Sequence, residues 1–206
     1  MNHAVPVLVA RNVDVRRGGR CVVRGLSFGL GGGGLALVVG PNGSGKTSLL
    51  RVLAGLAPCA GGEVTWNSVA LARIPAEDRA DIAYRGHLDG LKKELTVEEN
   101  LAFWAALRRQ RSGFDELLAA LDLHGVAGRQ VRFLSAGQRR RAALATLKVA
   151  PARLWLLDEP MTNLDSAGRT LVAGWVSEHL AQGGVAVVAT HRPDELARPG
   201  ATLVEL

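Results

Sequence analysis

Apolar residues fall into two kinds of run along the chain. Leu35-Ala36-Leu37-Val38-Val39, Leu154-Trp155-Leu156-Leu157 and Val185 to Ala189 are short and unbroken, which predicts strands buried on both faces of a sheet. Val7 to Val15 instead alternates, with Val13 and Val15 set against Asn12 and Asp14, the mark of a half-buried strand. Gly18-Gly19-Arg20 signals a turn, and Cys21 to Leu30 supplies the returning strand of an antiparallel pair. Gly31 to Gly34 reads as a further turn. Gly61-Gly62 reads as another, ahead of a strand at Val64-Thr65-Trp66, and Ala201 to Leu206 fits a terminal strand.

Helical spacing appears between these strands. Leu49, Leu50, Leu53 and Leu56 predict a helix over Thr47 to Leu56. From Thr96 to about Val149 the pattern is mostly helical: Leu101, Trp104, Ala105 and Leu107 fit one helix, and Leu117, Leu118 and Leu121 fit another. Leu171, Val172, Trp175, Val176 and Leu180 make a third amphipathic helix. Strands alternating with helices predict an α/β fold with a mainly parallel sheet covered on both faces. The 206 residues, 48% of them hydrophobic, suffice for one domain, with a helical subdomain inserted at about 96–150.

Composition removes several functions. Cys21 and Cys59 form no CxxC or CxxCH, so a disulfide framework, a zinc site and covalent haem attachment have no support. A reduced, cytosolic compartment fits best. Val5 to Ala10 is apolar but has no basic region before it, so no secretory signal is expected. The apolar runs fall far short of the roughly 20 residues of a membrane span. The formal charge of +6 and the pI near 10.1 suit an anionic partner, and equally suit arginines that only solvate a surface.

The candidate chemistry begins after the strand Leu35 to Val39. Gly40-Pro41-Asn42-Gly43-Ser44-Gly45-Lys46-Thr47 fits GxxxxGK[ST] between a predicted strand and a predicted helix, the context of a phosphate-binding loop. Its backbone N–H groups and the helix start offer positive charge to phosphate oxygens. Lys46 adds a cation for the β- and γ-phosphates, and Thr47 a hydroxyl for Mg²⁺; Ser48 follows as a further nucleotide contact. Asp158 ends the apolar run from Leu154, where a carboxylate can hold Mg²⁺, and Glu159 can orient or deprotonate an attacking water. An ordinary strand end also reads this way. In Leu134-Ser135-Ala136-Gly137-Gln138, Ser135 is a natural N-cap, and the helix start again suits phosphate. The following Arg139-Arg140-Arg141 reads as a solvated face. His191 closes the strand Val185 to Ala189 after Thr190, and Asp165 is a good N-cap for the helix after it.

Phosphate loop, about ninety residues, LSAGQ, about twenty residues, Asp-Glu and a strand-end His, in that order, resemble the ATP-binding cassette (ABC) ATPase family across nearly the whole chain. The resemblance implies a P-loop NTPase with a RecA-like, mainly parallel core, an N-terminal antiparallel β subdomain and the helical insert. It assigns Gly40 to Thr47 to Walker A, Asp158 to Walker B, Glu159 to the catalytic carboxylate and His191 to the switch histidine. Ser135, Ala136, Gly137 and Gln138 become the signature motif and Asp165 the D-loop. ATP and Mg²⁺ are the implied ligands, with Thr47 and Asp158 at the metal. The implied assembly is a head-to-tail homodimer with ATP between the Walker A of one subunit and the signature of the other.

Two departures refine the resemblance. The family's adenine-stacking aromatic is replaced by Val15-Arg16-Arg17, which makes the plane of Arg16 the expected base contact. His87 stands where the family usually has Gln, so it joins Lys46, Glu159 and His191 as a catalytic candidate; imidazole suits a water better than Mg²⁺. The segment Gly86-His87 through Gly90-Leu91-Lys92, Glu94-Leu95-Thr96 and Glu99-Asn100-Leu101 is similar to the CcmA type, the ATP-binding subunit of the cytochrome c maturation or haem exporter complex. That implies membrane-embedded permease partners of the CcmB and CcmC kind. The expected location is the cytoplasmic face of the bacterial inner membrane, with no nucleic acid bound and no haem site on this chain. The ATPase of another ABC transporter, a soluble nucleic-acid-associated ABC ATPase and a non-hydrolysing regulatory cassette are the alternatives.

Overall fold

The computed structural model describes residues 7–86, 90–107 and 113–206, with the side chains of 76–78 set aside. Two sheets organise it. In the first, β1 (Leu8–Arg17) pairs antiparallel with β2 (Arg20–Leu30) and with β4 (Gly61–Trp66), and β4 pairs with β5 (Val69–Ala70). Gly61 and Gly62, expected in a turn, lie inside β4. They face a register shift between Arg11 and Asp14 of β1. Gly62 has φ 72, and a Cβ there would collide with the carbonyls of Arg11 and Asn12. The glycine pair therefore marks a bulge within the strand.

The second sheet is parallel, in the order β6 (Ile82–Arg85), β7 (Leu154–Asp158), β8 (Val185–Ala189), β3 (Leu35–Val39), β9 (Thr202–Glu205). Its unbroken apolar runs are explained by two cores, one on each face. Alternate residues Leu35, Leu37, Trp155, Leu157, Ala186 and Val188 enter one core. Ala36, Val38, Leu154, Leu156, Val185 and Val187 enter the other. The first core is completed by helices α2 (Val97–Leu107), α3 (Asp115–Ala120), α4 (Ala136–Val149) and α5 (Ser166–Ala181). The second is completed by α1 (Lys46–Leu53) and the antiparallel sheet. Full burial of each such Leu or Val is worth about 1.5–3 kcal/mol, so these runs set the sheet.

The helix predicted to reach Leu56 stops at Leu53. Gly55 takes φ 66 just past the end, a left-handed C-terminal stop, and Arg79 Nη1 donates to its carbonyl at 2.7 Å. Leu56 is consequently exposed. Between β6 and β7 the described structure is helical, as the periodicity of 96–150 predicts. Thr96 and Glu99 form a reciprocal capping box at the start of α2. The buried Asn100 accepts from Lys92 N–H at 2.8 Å and donates to the carbonyls of Lys92 and Thr96 at 3.0 and 2.8 Å. Three residues of the segment behind the CcmA resemblance thus shape a helix start. Among the described residues, no helix is long and apolar enough to cross a membrane.

Candidate functional site

The parallel strands deliver their carboxyl ends to one edge, where ligands of open α/β sheets bind. β3 runs into the phosphate loop, β7 ends in Asp158, and β8 is followed by Thr190 and His191. Asp158 pairs in register with Ala189, and Val38 of β3 pairs with the same residue. A cavity of about 340 Å³ opens there, lined by Asn42, Gly43, Gly45, Lys46, Thr47, Ser48, Asp158, Glu159, Thr162, His191 and Arg17.

The loop is built to present N–H groups. Gly45, at φ 112, is the N-cap of α1 and offers no side chain to its own helix, so the first N–H groups of α1 lack an internal acceptor. A Cβ at Gly45 would press on Val22 and Val23 of β2 at 3.1–3.2 Å, which is how the hairpin closes over the loop. Lys46 is buried, and its Nζ donates to the carbonyls of Gly40 and Pro41 at 2.7 and 3.1 Å. The ammonium is thus held within the loop by its own backbone. Ser44 Oγ is buried within the loop with no hydrogen-bond partner among the described residues.

Thr47 Oγ1 donates to Asp158 Oδ2 at 2.7 Å. This joins the first turn of α1 to the end of β7 and sets two hard oxygens side by side. Mg²⁺ is ordinarily held by one or two protein oxygens together with water and substrate phosphates, so this pair fits the ion. The adjacent Tyr84 phenol is pushed up from its ordinary pKa by burial and by the Asp158 charge, with Arg51 opposing; it stays neutral beside the carboxylate.

Glu159 has φ 50, a left-handed backbone that is uncommon for a non-glycine residue. Its N–H donates to the Ala189 carbonyl at 2.9 Å, and Oε2 accepts from the His191 N–H at 3.4 Å. Oε1 lies 3.2 Å from His191 Nε2, yet it has no hydrogen bond of acceptable angle. The 3.2 Å approach is proximity without a directed hydrogen bond.

The remaining sequence-predicted residues fall into three groups. Gly40, Pro41 and Ser44 belong to the loop without lining the cavity. Arg16 does not line it either; its neighbour Arg17, at the end of β1, does. Ser135, Ala136, Gly137 and Gln138 start α4 and do not line the cavity of their own chain. Ser135 caps α4 by accepting from Gln138 N–H, while Gln138 Oε1 accepts from Ser135 N–H. Asp165 caps α5 through Gly168 N–H at 2.9 Å. His87 lies outside the described residues.

The arginine run after the signature corrects its sequence reading. Arg140 is buried, and its guanidinium donates to the carbonyls of Asp158 and Glu159 at 2.7 Å each, of Gly86 at 3.0 Å and of Pro160 at 3.3 Å. Arg141 bonds Asp122 at 3.1 Å and Asp165 at 3.2 Å. Arg85, equally unforeseen, is buried over the Trp104 ring at 4.5 Å and donates to Thr146 Oγ1 at 2.6 Å. Helical periodicity would have flagged Arg140, since it stands on the face of α4 that also buries Ala143, Leu144 and Leu147.

Comparison with known proteins shows likeness over nearly the whole chain. The profile of the ABC transporter family matches residues 23–162. The cytochrome c biogenesis ATP-binding export protein CcmA 2 of Cupriavidus metallidurans is 46% identical over 96% of this chain and 94% of its own length. The CcmA of Paramagnetospirillum magneticum is 46% identical over 96% and 92%, and that of Rhodospirillum rubrum 47% over 92% and 81%. Among solved structures, an ABC transporter ATP-binding protein from Pyrococcus furiosus superposes with TM-score 0.79 at 22% identity, covering 97% of both chains. An ABC transporter ATP-binding subunit gives 0.80 at 23%, covering 90% of this chain and 79% of that one. The last two show the fold.

Proposed function

The chain belongs to the ABC transporter ATP-binding family, in its cytochrome c biogenesis export branch, and from that premise we propose that it hydrolyses Mg-ATP to drive a membrane complex of cytochrome c maturation. The observation that carries the proposal is the convergence on one cavity of Lys46, the Thr47–Asp158 hydrogen bond at 2.7 Å, Glu159 and His191. Lys46, Thr47 and Asp158 serve binding of Mg-ATP; Glu159 and His191 on the same cavity are what hydrolysis adds to it.

ATP would seat its phosphates on the N–H groups of the loop and α1, leaving Lys46 to move from the Gly40 and Pro41 carbonyls onto β- and γ-oxygens. Arg17, which lines the cavity, joins Arg16 as a candidate to face the base or ribose. Thr47 and Asp158 would hold Mg²⁺, which when bound neutralises charge on the phosphate oxygens. Glu159 would accept hydrogen bonds from the attacking water and take its proton as the bond to phosphorus forms. His191 donates toward the same phosphoryl oxygens. Ser135 and Gly137, absent from the cavity of their own chain, would complete the site of a second subunit in a head-to-tail dimer. His87 is the candidate to hold the lytic water.

The membrane partners are permease subunits of the CcmB and CcmC kind, met at the cytoplasmic face of the inner membrane. The test is co-purification of the tagged chain in mild detergent, with phosphate release measured on the recovered complex. The proposal predicts membrane-embedded partners from cytochrome c assembly and an ATPase activity lost in Lys46→Ala. Recovery of an unrelated transporter's permease would overturn the assignment to cytochrome c maturation.

A further inference from the structure

The base-bearing loop from Asp158 to Asp165 is gripped from the helix that begins with the signature residues. Two adjacent side chains in the second turn of α4 reach its two ends. Arg140 gathers the carbonyls of Asp158, Glu159 and Pro160, and Arg141 bonds Asp165. Arg140 extends the grip to Gly86, the residue before His87.

The Glu159 backbone needs such a grip. A left-handed φ of 50 is strained for a side-chain-bearing residue and persists only when its surroundings over-determine it. Its N–H is fixed to β8 through the Ala189 carbonyl. Its carbonyl accepts from Arg140 at 2.7 Å and from Thr162 N–H at 3.2 Å. The charged donor is the stronger of the two, and only it comes from another element. Arg140 does not line the cavity; it holds the loop's carbonyls, while the carboxylates of Asp158 and Glu159 face the cavity.

We infer that Arg140 is a positioning residue: it holds the Glu159 carboxylate at its working height over the phosphate cavity and ties that height to the placement of the signature helix. The inference rests on the ATPase reading above. In the assembled protein, any shift of α4 when a second subunit's nucleotide meets Ser135 would pass through three carbonyl bonds to the base-bearing loop. Ser135 starts the helix by its capping box, so the route from signature to base spans five residues of one rigid helix.

The test is steady-state phosphate release by full-length wild type, Arg140→Ala and Arg140→Lys, alongside nucleotide affinity by equilibrium binding. Arg140→Ala should lower kcat at least about tenfold, with KM and affinity within about twofold, the signature of an interaction that matters in the transition state. Millimolar guanidinium should restore part of that loss, and Arg140→Lys, which supplies one ammonium for four carbonyls, should fall between. An unchanged kcat overturns the inference. So does a loss of kcat that tracks loss of folded protein and is untouched by guanidinium. Should Arg140→Ala fail to fold, Arg140→Lys decides alone by the same split of kcat against KM. A wild-type chain that hydrolyses no ATP, alone or with its membrane partners, overturns the ATPase reading itself; an active wild type with unaltered variants overturns only the positioning role.

Discussion

Replacing Thr47 by Val keeps the shape and β-branching of the side chain and removes one hydroxyl. In the structure that hydroxyl donates to Asp158 Oδ2 at 2.7 Å, and Asp158 is 2% exposed. The bond is to a charged acceptor, worth about 1.5–3 kcal/mol, and its loss leaves a buried carboxylate oxygen short of a donor. Stability of the nucleotide-free protein should therefore fall by about 2–3 kcal/mol. For a chain of this size each kcal/mol moves Tm by about 2–4 °C, so a drop of about 5–10 °C is expected. Urea titration should show a lower midpoint with an unchanged slope. Thr47→Ser, which keeps the donor, should stay within about 1 kcal/mol of wild type. The same pair of variants tests the metal role: Mg²⁺-dependent nucleotide binding should weaken in Thr47→Val and survive in Thr47→Ser. A Val variant as stable as wild type, with unaltered Mg²⁺ dependence, would refute both the weight given to this bond and the placement of the ion.

Asn100→Ala strands the Lys92 N–H and removes one of two donors from each of the Lys92 and Thr96 carbonyls, which keep the backbone N–H groups of Leu95 and Asn100; at about 1 kcal/mol for each lost bond it should cost about 3 kcal/mol and speed amide exchange over residues 90–100, and unchanged exchange there would count against the bracing role. His179 is stacked on Trp155 with ring centroids 4.1 Å apart. Burial lowers its pKa from the ordinary 6.5, while the Val185 and Arg153 carbonyls pull it partly back up and Lys148 lowers it further. The folded chain then binds fewer protons than the unfolded one just below pH 6.5. Its contribution to stability is whole above that pH and is lost progressively as the pH falls toward the folded value. His179→Phe should flatten this part of the stability profile between pH 7.5 and 5, and parallel profiles for the two proteins would refute the assignment.

The parts legible in the sequence are those where one physical rule acts alone. Leu154 to Leu157 could be read as a strand because both faces of the sheet are covered, and no competing pattern explains four apolar residues ending in Asp-Glu. Ser135 and Asp165 were legible as caps because the N-cap preference is local. Misreadings arose where tertiary contacts decide. Gly61-Gly62 carries the composition of a turn, and only the register of β1 shows that it is a bulge. Leu56 keeps the helical period of α1, but Gly55 ends the helix first. Arg139-Arg140-Arg141 has the composition of a solvated surface. Arg140 is nonetheless buried, because four carbonyls at the end of β7 and the start of the loop beyond β6 need a donor there. Arg16 and Arg17 cannot be told apart by composition; of the two, Arg17 lines the cavity.

The central claim is that Glu159, set beside the Thr47–Asp158 pair, is the group that activates water for ATP hydrolysis. Glu159→Gln tests it most directly, since the amide keeps the shape of the side chain and cannot take a proton. Phosphate release and mass in solution should be measured together, with Mg-ATP present. The account predicts that turnover falls at least about 100-fold while ATP remains bound, and that the protein accumulates at twice its monomer mass of 21.7 kDa. Wild-type turnover by Glu159→Gln would contradict it.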